Sequence, residues 1–249
     1  MDDLILQINN ISYTLNYLMC NLLKKLKEII ISNIGENFNV IITIPANFNE
    51  GQKNSILSYC TQVDIDCKYL VYEPCSACLA YINYFNNKLD DEELRRILVF
   101  DFGAGTLDLA IVSCNCIKED NNIEWMAKIE SNIGDNNLGG VDIDIVLKKY
   151  IINKYPQISN IQNNFLIEKI KIKLSTLNLN TKSTIIEKYY NQIITINLTE
   201  YYKLLDDNFK DRIILLLDEI HQSDIQIIDI DEILLIGGSC YNPWIKKLI

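Results

Sequence analysis

Apolar residues recur at three- and four-residue steps from Leu4 to Ile29, and this spacing predicts an amphipathic opening helix that Gly35 terminates. Short apolar runs then alternate with helical patterns. They predict a strand, a helix, a second strand and a second helix, at 40–44, 50–59, 69–72 and 74–84. The charged stretch 86–93 predicts a loop between two lobes.

The second part of the chain opens with apolar stretches that predict a β-meander, at 96–101, 106–114 and 123–131. After Gly140 the pattern predicts two helices, a strand region, a long helix with Thr199 as its N-cap and a closing strand, at 141–155, 163–175, 183–196, 199–220 and 232–236. Strands and helices therefore alternate in two α/β units, with an α+β insertion at roughly 141–198.

The sequence DFGAGTLD at 101–108 joins two of the predicted strands through a turn of small residues. Gly103 and Gly105 allow the backbone to bend tightly and to bring its N–H groups close to an anion. Asp101 and Asp108 flank the turn, where one could hold a hydrated Mg²⁺ and the other an attacking water. The pattern favours a phosphate site, and a hairpin turn built from Gly and Asp for steric reasons is the alternative.

Four other segments stand in a defined order around this turn: IPANFN at 44–49, YEPCSACLAY at 72–81, LGGVDID at 138–144 and LLIGGS at 234–239. The last of these predicts a strand, a Gly-Gly turn and a helix start, where a phosphate or nucleoside can meet bare backbone. Together the segments resemble the nucleotide-binding domain of the seventy-kilodalton heat-shock chaperones, within the actin and sugar-kinase superfamily. The resemblance covers nearly the whole chain.

This resemblance implies an α/β fold of the actin-like, ribonuclease H-like ATPase class, with a nucleotide cleft between two lobes. Residues 1–94 would form an incomplete lobe I, 95–140 and 199–249 the core of lobe II, and 141–198 an insertion subdomain. The family's first phosphate loop, of the Asp-Leu-Gly-Thr-Thr kind, and a lysine that acts on the γ-phosphate would both lie upstream of Met1. Hydrolysis is therefore expected to be weak or lost in this chain alone.

The resemblance also implies ATP or ADP with Mg²⁺ as ligands, and it assigns roles to residues. Asp101 would approach Mg²⁺ through water, Asp108 would orient the attacking water, and Glu73 would face the Mg²⁺ shell from lobe I. Thr106 would lie at the γ-phosphate end of the turn. The other turn residues would take the phosphates: Gly103, Ala104 and Gly105. Glu73 could also be an ordinary turn residue before Pro74.

The nucleoside contacts that the resemblance implies are spread over the second part of the chain, at Gly140, Glu168, Lys171, Ser175, Gly237, Gly238, Ser239 and Tyr241. Glu168 and Lys171 are three positions apart and could instead form a solvated helix face. Pro45 and Lys53 match a proline and a basic residue that link the ATP state to lobe movement in the family.

Several positions depart from the family pattern. Ala104 stands where Gly is usual, and Val141 replaces an acid. Ile172 and Tyr241 replace two arginines on opposite faces of the adenine, although a tyrosine can still stack on a base. Strand 40–44 is expected to lose its sheet neighbours, which would leave an apolar edge at the isoleucines Ile41, Ile42 and Ile44.

Composition narrows the classes of partner. A net charge of −10 argues against non-specific attraction to nucleic acid or anionic membrane, and no apolar run approaches the length of a membrane span. Cochaperones or nucleotide-exchange factors are the expected partners, and no peptide-binding domain is expected in this chain. The eight cysteines and a start without a basic export region indicate the cytoplasm.

Two cysteine pairs, Cys75-x-x-Cys78 and Cys114-x-Cys116, have spacings that a zinc site could use, and small buried apolar residues are the other interpretation. His221, the single histidine, is expected at a helix end without a catalytic role. The leading hypothesis is adenine-nucleotide binding in a chaperone-related protein involved in protein folding. A non-catalytic pseudo-ATPase that serves as an interaction module, and a fragment of a split gene, are the alternatives.

Overall fold

A computed structural model describes residues 5–85, 94–119, 122–158, 164–177, 183–221 and 230–249 of the chain. The fold is mixed α/β and divides into two compact units, Met1–Ser76 and Ala77–Ile249. The lobe boundaries expected after residues 94, 140 and 198 stay predictions. The expected loop at 86–93 lies outside the described residues.

The first unit contains two pairs of strands and two helices: β1 (Ile5–Ile8), β2 (Ile11–Thr14), α1 (Leu15–Ile34), β3 (Val40–Ile44), α2 (Glu50–Gln62) and β4 (Cys67–Tyr72). Helix α3 (Glu73–Phe85) begins in this unit and continues into the second. The strands and helices predicted between positions 40 and 84 are therefore present: the first strand has the predicted bounds, and the other three elements are slightly longer than predicted.

The opening helix begins at Leu15, eleven residues later than the apolar spacing predicts, because residues 5–14 form an antiparallel hairpin. Asn9 and Asn10 occupy its two-residue turn with φ angles of 51° and 63°. Asparagine tolerates this left-handed conformation, which matches the twist of the two strands. Helix α1 starts where the Thr14 hydroxyl accepts a hydrogen bond from the Tyr17 N–H at 3.1 Å. It ends at Gly35, as predicted, where φ is 89°.

A small core holds the first unit together, formed by Cys20, Cys60, Val63 and Ile65. Strands β3 and β4 pair in parallel above it. Because side chains alternate along a strand, Ile42 packs against this core while Ile41 is 61% exposed. Ile44 is buried, so the expectation that all three isoleucines would present apolar surface is wrong for Ile44.

The second unit is built on a four-stranded sheet in the order β10-β5-β6-β7. Its strands are β5 (Arg95–Phe102), β6 (Leu107–Glu119), β7 (Asn122–Asp135) and β10 (Glu232–Ile236). The first three form the predicted antiparallel meander, and β10 pairs in parallel with β5. The carboxyl ends of β5 and β10 therefore lie side by side.

Helices and a second hairpin complete this unit: α4 (Gly140–Lys154), α5 (Asn164–Ser175), β8 (Thr184–Tyr189), β9 (Gln192–Asn197), α6 (Leu198–Leu205), α7 (Asp211–His221) and α8 (Ile245–Leu248). A π-helical segment, Asp206–Lys210, joins α6 to α7. The N-cap of α6 is Asn197 and not Thr199. The side-chain oxygen of Asn197 accepts a hydrogen bond from the Thr199 N–H, and the Asn197 N–H donates to the Glu200 carboxylate, which lies three residues later. If Thr199 were the N-cap, the residue three positions later would not be an acid, and this reciprocal pair of bonds could not form.

The cysteines predicted to be small buried residues are buried where their side chains are described. Cys75, Cys78 and Cys114 each have less than a tenth of their surface exposed. A hydrogen bond from Cys78 lowers the pKa of Cys114. His221 is the last residue of α7, which confirms its place at a helix end. Within the described ranges, no helix has the length and apolar character that crossing a membrane requires.

The two units should differ in local stability, because the buried cluster of the second unit is far larger than that of the first. We expect native-state hydrogen exchange to release the amides of β3 and β4 at least about 100-fold faster than those of β5 and β6. Mass spectrometry of pepsin fragments measures this difference. Equal protection in both units of a monomeric sample would contradict the expectation.

Candidate functional site

The turn between β5 and β6 forms the centre of the site. Asp101 lies near the end of β5, and the Gly103 N–H donates to the Thr106 carbonyl oxygen at 3.1 Å, which closes the turn. Strand pairing sets Asp101 directly opposite Asp108 on β6. The two acids that flank the turn in the sequence are therefore neighbours across it.

Charge is concentrated at the mouth of this turn. Burial raises the pKa of Asp101, and the neighbouring carboxylate of Asp108 raises it further. A cation between the two side chains would offset this repulsion. Mg²⁺ commonly uses one or two protein carboxylates and keeps several waters, so the pair fits a largely hydrated Mg²⁺. Within the described ranges no cluster of three or more His, Cys, Asp or Glu side chains could hold a metal ion.

The start of α4 packs directly on the turn. The Gly140 N–H donates to the Gly103 carbonyl at 3.0 Å, and the Val141 N–H donates to the Ala104 carbonyl at 2.8 Å. A Cβ atom on Gly139 would overlap the backbone of Ala104 and Gly105. The close approach therefore requires glycine at position 139, and it fixes the turn against the helix.

The Gly-Gly turn after β10 reaches the same place from the other side. Gly237 has a φ of 85°, and a Cβ atom there would overlap the Phe102 backbone and lie 2.9 Å from Asp101 Oδ1. The Ser239 hydroxyl donates to the Gly103 carbonyl at 2.8 Å. Gly238 faces open space. Two glycine turns thus meet at the adjacent carboxyl ends of β5 and β10, where α/β folds commonly bind ligands.

A cavity of about 530 Å³ opens beside these turns, in the second unit. Its lining includes every residue predicted to contact the nucleoside except Gly237, namely Gly140, Glu168, Lys171, Ser175, Gly238, Ser239 and Tyr241. Gly103 and Ala104 of the phosphate turn also line it. The structure therefore brings together residues from four separate segments of the sequence.

Lys171 is held inside this site by two acceptors. Its ammonium donates to the Gly140 carbonyl at 2.8 Å and to Asp144 Oδ2 at 2.9 Å. Burial raises the pKa of Asp144, although the ion pair with Lys171 opposes that shift. Asp144 lies in the LGGVDID segment, but its pairing with Lys171 was not predicted. Lys171 ties α5 to the start of α4 and thereby supports the phosphate turn.

The inner wall of the cavity contains two residues that sequence reasoning missed, Tyr201 and Asn242. Burial strongly raises the pKa of Tyr201, so its hydroxyl is neutral. The Asn242 amide donates to this hydroxyl at 3.1 Å, and its carbonyl oxygen accepts from the Trp244 N–H at 3.1 Å. No local pattern marked either residue, because their pairing joins positions 41 residues apart.

Two exposed side chains with large apolar surfaces lie at the opening of the cavity. Tyr241 is 82% exposed and Ile172 is 54% exposed, and both line the opening. They come from different elements, the turn after Gly238 and helix α5. An exposed aromatic ring such as that of Tyr241 can stack on a planar group.

The remaining predicted residues belong to the first unit and are described there. Glu73 is the first residue of α3. Lys53 forms an ion pair with Glu50 at 2.7 Å and lies 5.2 Å from the centroid of the Tyr72 ring, and its hydrogen bond to Glu50 is the main cause that raises its pKa. The roles assigned to Glu73, Pro45 and Lys53 stay predictions.

The amino-acid sequence matches known proteins along nearly its whole length. A family model described as "Hsp70 protein" matches residues 2–249. The chaperone protein DnaK of Ureaplasma parvum serovar 3 is 30% identical, over 96% of this chain and 40% of the relative. The HscA homologue of Rickettsia typhi is 31% identical, over 83% of this chain and 31% of that protein. The HscA of Buchnera aphidicola is 28% identical, over 84% and 39%. The chain thus spans less than half the length of these relatives.

Gly105, in the turn, and Gly139, which packs against the turn, differ in the space around them, and substitutions can test this difference. Gly139→Ala should lower the free energy of unfolding by about 1–3 kcal/mol, because its Cβ atom would overlap backbone that cannot move independently. Gly105→Ala is the matched control, since a Cβ atom there meets no other atom within 4 Å. Urea unfolding of both variants provides the measurement. Equal destabilisation would mean that α4 does not pack on the turn as described.

Proposed function

The chain belongs to the Hsp70 family, and we propose that it binds ADP or ATP with Mg²⁺ in the cavity of its second unit. The observation that carries the proposal is the 530 Å³ cavity beside two glycine turns, lined by the residues that sequence reasoning assigned to the nucleoside. Cavities of roughly 300–1,000 Å³ are usual for ligands of this size. The proposed architecture is that of an actin-like, ribonuclease H-like ATPase lobe.

The phosphates are assigned to the backbone of the 103–106 turn. Gly105 is exposed and has open space around it, and the turn contains no side chain larger than threonine. Thr106 would contact the terminal phosphate. Asp101 would hold Mg²⁺ through its water shell, Asp108 would orient a water, and the ion would supply charge compensation for both carboxylates and phosphates when bound.

The nucleoside is assigned to the α5 side of the cavity. Glu168 is exposed there, and the Ser175 hydroxyl donates to the Lys171 carbonyl, which leaves its oxygen able to accept from a ribose hydroxyl. Lys171 is already bonded to Asp144 and Gly140, so it supports the site more than it contacts the ligand. Tyr241 would stack on the base.

We assign this site to a chaperone-related, cytoplasmic ATPase domain of the heat-shock type, with cochaperones or nucleotide-exchange factors as its protein partners. The family membership and the relatives named as chaperone proteins support this assignment. The net charge of −10 disfavours nucleic acid as a partner. A nucleotide-binding interaction module without hydrolysis is the second candidate.

Nucleotide binding can be tested by a pair of substitutions of equal size. Gly105→Asp should weaken the binding of Mg-ADP at least about tenfold, because it places a negative charge in the turn that receives the phosphates. Gly105→Asn is nearly the same size and neutral, and it should bind close to the unsubstituted level. Isothermal titration calorimetry measures both affinities. If all three proteins bind equally, the 101–108 turn is not part of the site.

The hydrolytic activity of the 249-residue chain should lie within about tenfold of the uncatalysed background, since phosphoryl transfer needs charge stabilisation on both sides of the transferred group. Phosphate release from Mg-ATP under single-turnover conditions gives the rate, and Asp108→Asn is expected to leave it unchanged. A rate typical of an efficient ATPase, lost in Asp108→Asn, would show that this chain assembles a complete catalytic site.

A further inference from the structure

A second groove, of about 710 Å³, runs along the outer faces of α4 and α5. Among the described residues it shares only Glu168 with the nucleotide cavity. The proposed function gives it no role. We refer to it as the α4–α5 groove and define it by Val141, Ile145, Lys148, Lys149 and Phe165.

The groove exposes large apolar side chains, whereas the solvent-facing side of a helix pair is normally polar. Val141 is 52% exposed, Ile145 is 46% exposed and Phe165 is 74% exposed. Helix α4 already buries a different stripe, formed by Ile143, Leu147 and Ile151. It therefore carries two apolar faces, of which one is left at the surface. Contiguous apolar patches of this kind mark interaction sites.

The spacing of the outer stripe suits a helical ligand. Val141 and Ile145 are one turn apart on α4, and Ile152, which is half-buried and also packs on the core, lines the groove two turns further. At 1.5 Å per residue, the stripe from Val141 to Ile152 is about 16 Å long. That length accommodates about three turns of an amphipathic helix, the standard occupant of an apolar groove between helices.

The charged residues of the groove determine which charge the polar face of that ligand should carry. Lys148 donates to the Asn164 side chain at 3.1 Å, and neither Lys148 nor Lys149 has an ion-pair partner in the part of the chain that the structure describes. Asp144, which also lines the groove, is paired with Lys171 at 2.9 Å. Glu168 also lines the groove and is exposed, so it offsets one of the two lysines. With Asp144 neutralised by Lys171, the lining keeps a small excess of positive charge in a chain whose net charge is −10.

We propose that the α4–α5 groove binds an acidic amphipathic helix of a partner protein. The apolar face of the helix packs on Val141, Ile145 and Phe165, and its carboxylates pair with Lys148 and Lys149. The apolar contacts supply most of the affinity, and the charges supply the orientation and the preference for an acidic ligand.

The test uses a fluorescein-labelled synthetic peptide of about 14 residues, with leucines at three- and four-residue steps and glutamate and alanine elsewhere. Fluorescence anisotropy with the full chain should show saturable binding that Phe165→Ser weakens about tenfold. The double variant Lys148→Glu, Lys149→Glu should bind the acidic peptide more weakly than the unsubstituted chain does. It should bind more tightly a version of the peptide in which lysine replaces each glutamate. Ile193→Ser, at a 60% exposed position on β9 outside the groove, is the matched control and should bind normally.

Several results would overturn the proposal. Equal binding of a peptide with the same composition in scrambled order would remove the role of the amphipathic face. Equal effects of Phe165→Ser and Ile193→Ser would remove the groove from the binding site. A concentration-dependent dimer in analytical ultracentrifugation that Phe165→Ser dissociates would assign the groove to a second copy of the chain. Binding to phosphatidylserine vesicles without binding to the peptide would assign it to a membrane surface.

Discussion

The carbonyl oxygen of Gly103 accepts two hydrogen bonds, from the Gly140 N–H at 3.0 Å and from the Ser239 hydroxyl at 2.8 Å, and the geometry of the whole site depends on them. These bonds join the turn after β5, the start of α4 and the turn after β10. A carbonyl has two lone pairs, so one atom can hold both segments. Without this junction the glycine turns would be separate surface loops, and the cavity between them would lose its wall.

The junction requires residues without a side chain at the points of closest approach, and this explains why positions 139 and 237 are glycines. A side chain at either would overlap backbone atoms of residues 102–105. Close packing also removes solvent from Asp101, whose pKa rises for that reason and because of Asp108. The two facing carboxylates therefore repel each other, and a bound cation or protonation would relieve this repulsion.

Sequence reasoning predicted most of the second unit because its signals are local. The meander and the strand at 232–236 come from apolar runs, and the glycine turns come from steric rules for backbone. A helix was wrongly predicted over 5–14, because Leu4, Ile8 and Ile11 fit a helical period. These residues form a hairpin instead, because Asn9 and Asn10 adopt the left-handed conformation of a two-residue turn. Asn242 and Tyr201 were missed because their contact joins distant positions. The Lys171–Asp144 pair was missed for the same reason, since it spans 27 residues.

The departures from the family pattern are concentrated at exposed rims and not in the core. Val141, Ile172 and Tyr241 stand where the resembled family has charged residues, and they are 52%, 54% and 82% exposed. Val141 lines the α4–α5 groove, while Ile172 and Tyr241 line the 530 Å³ cavity. An exposed residue contributes little to folding stability, so these changes leave the scaffold intact. Their common effect is to make both openings more apolar, which changes what the openings can bind and leaves the Gly103 junction untouched.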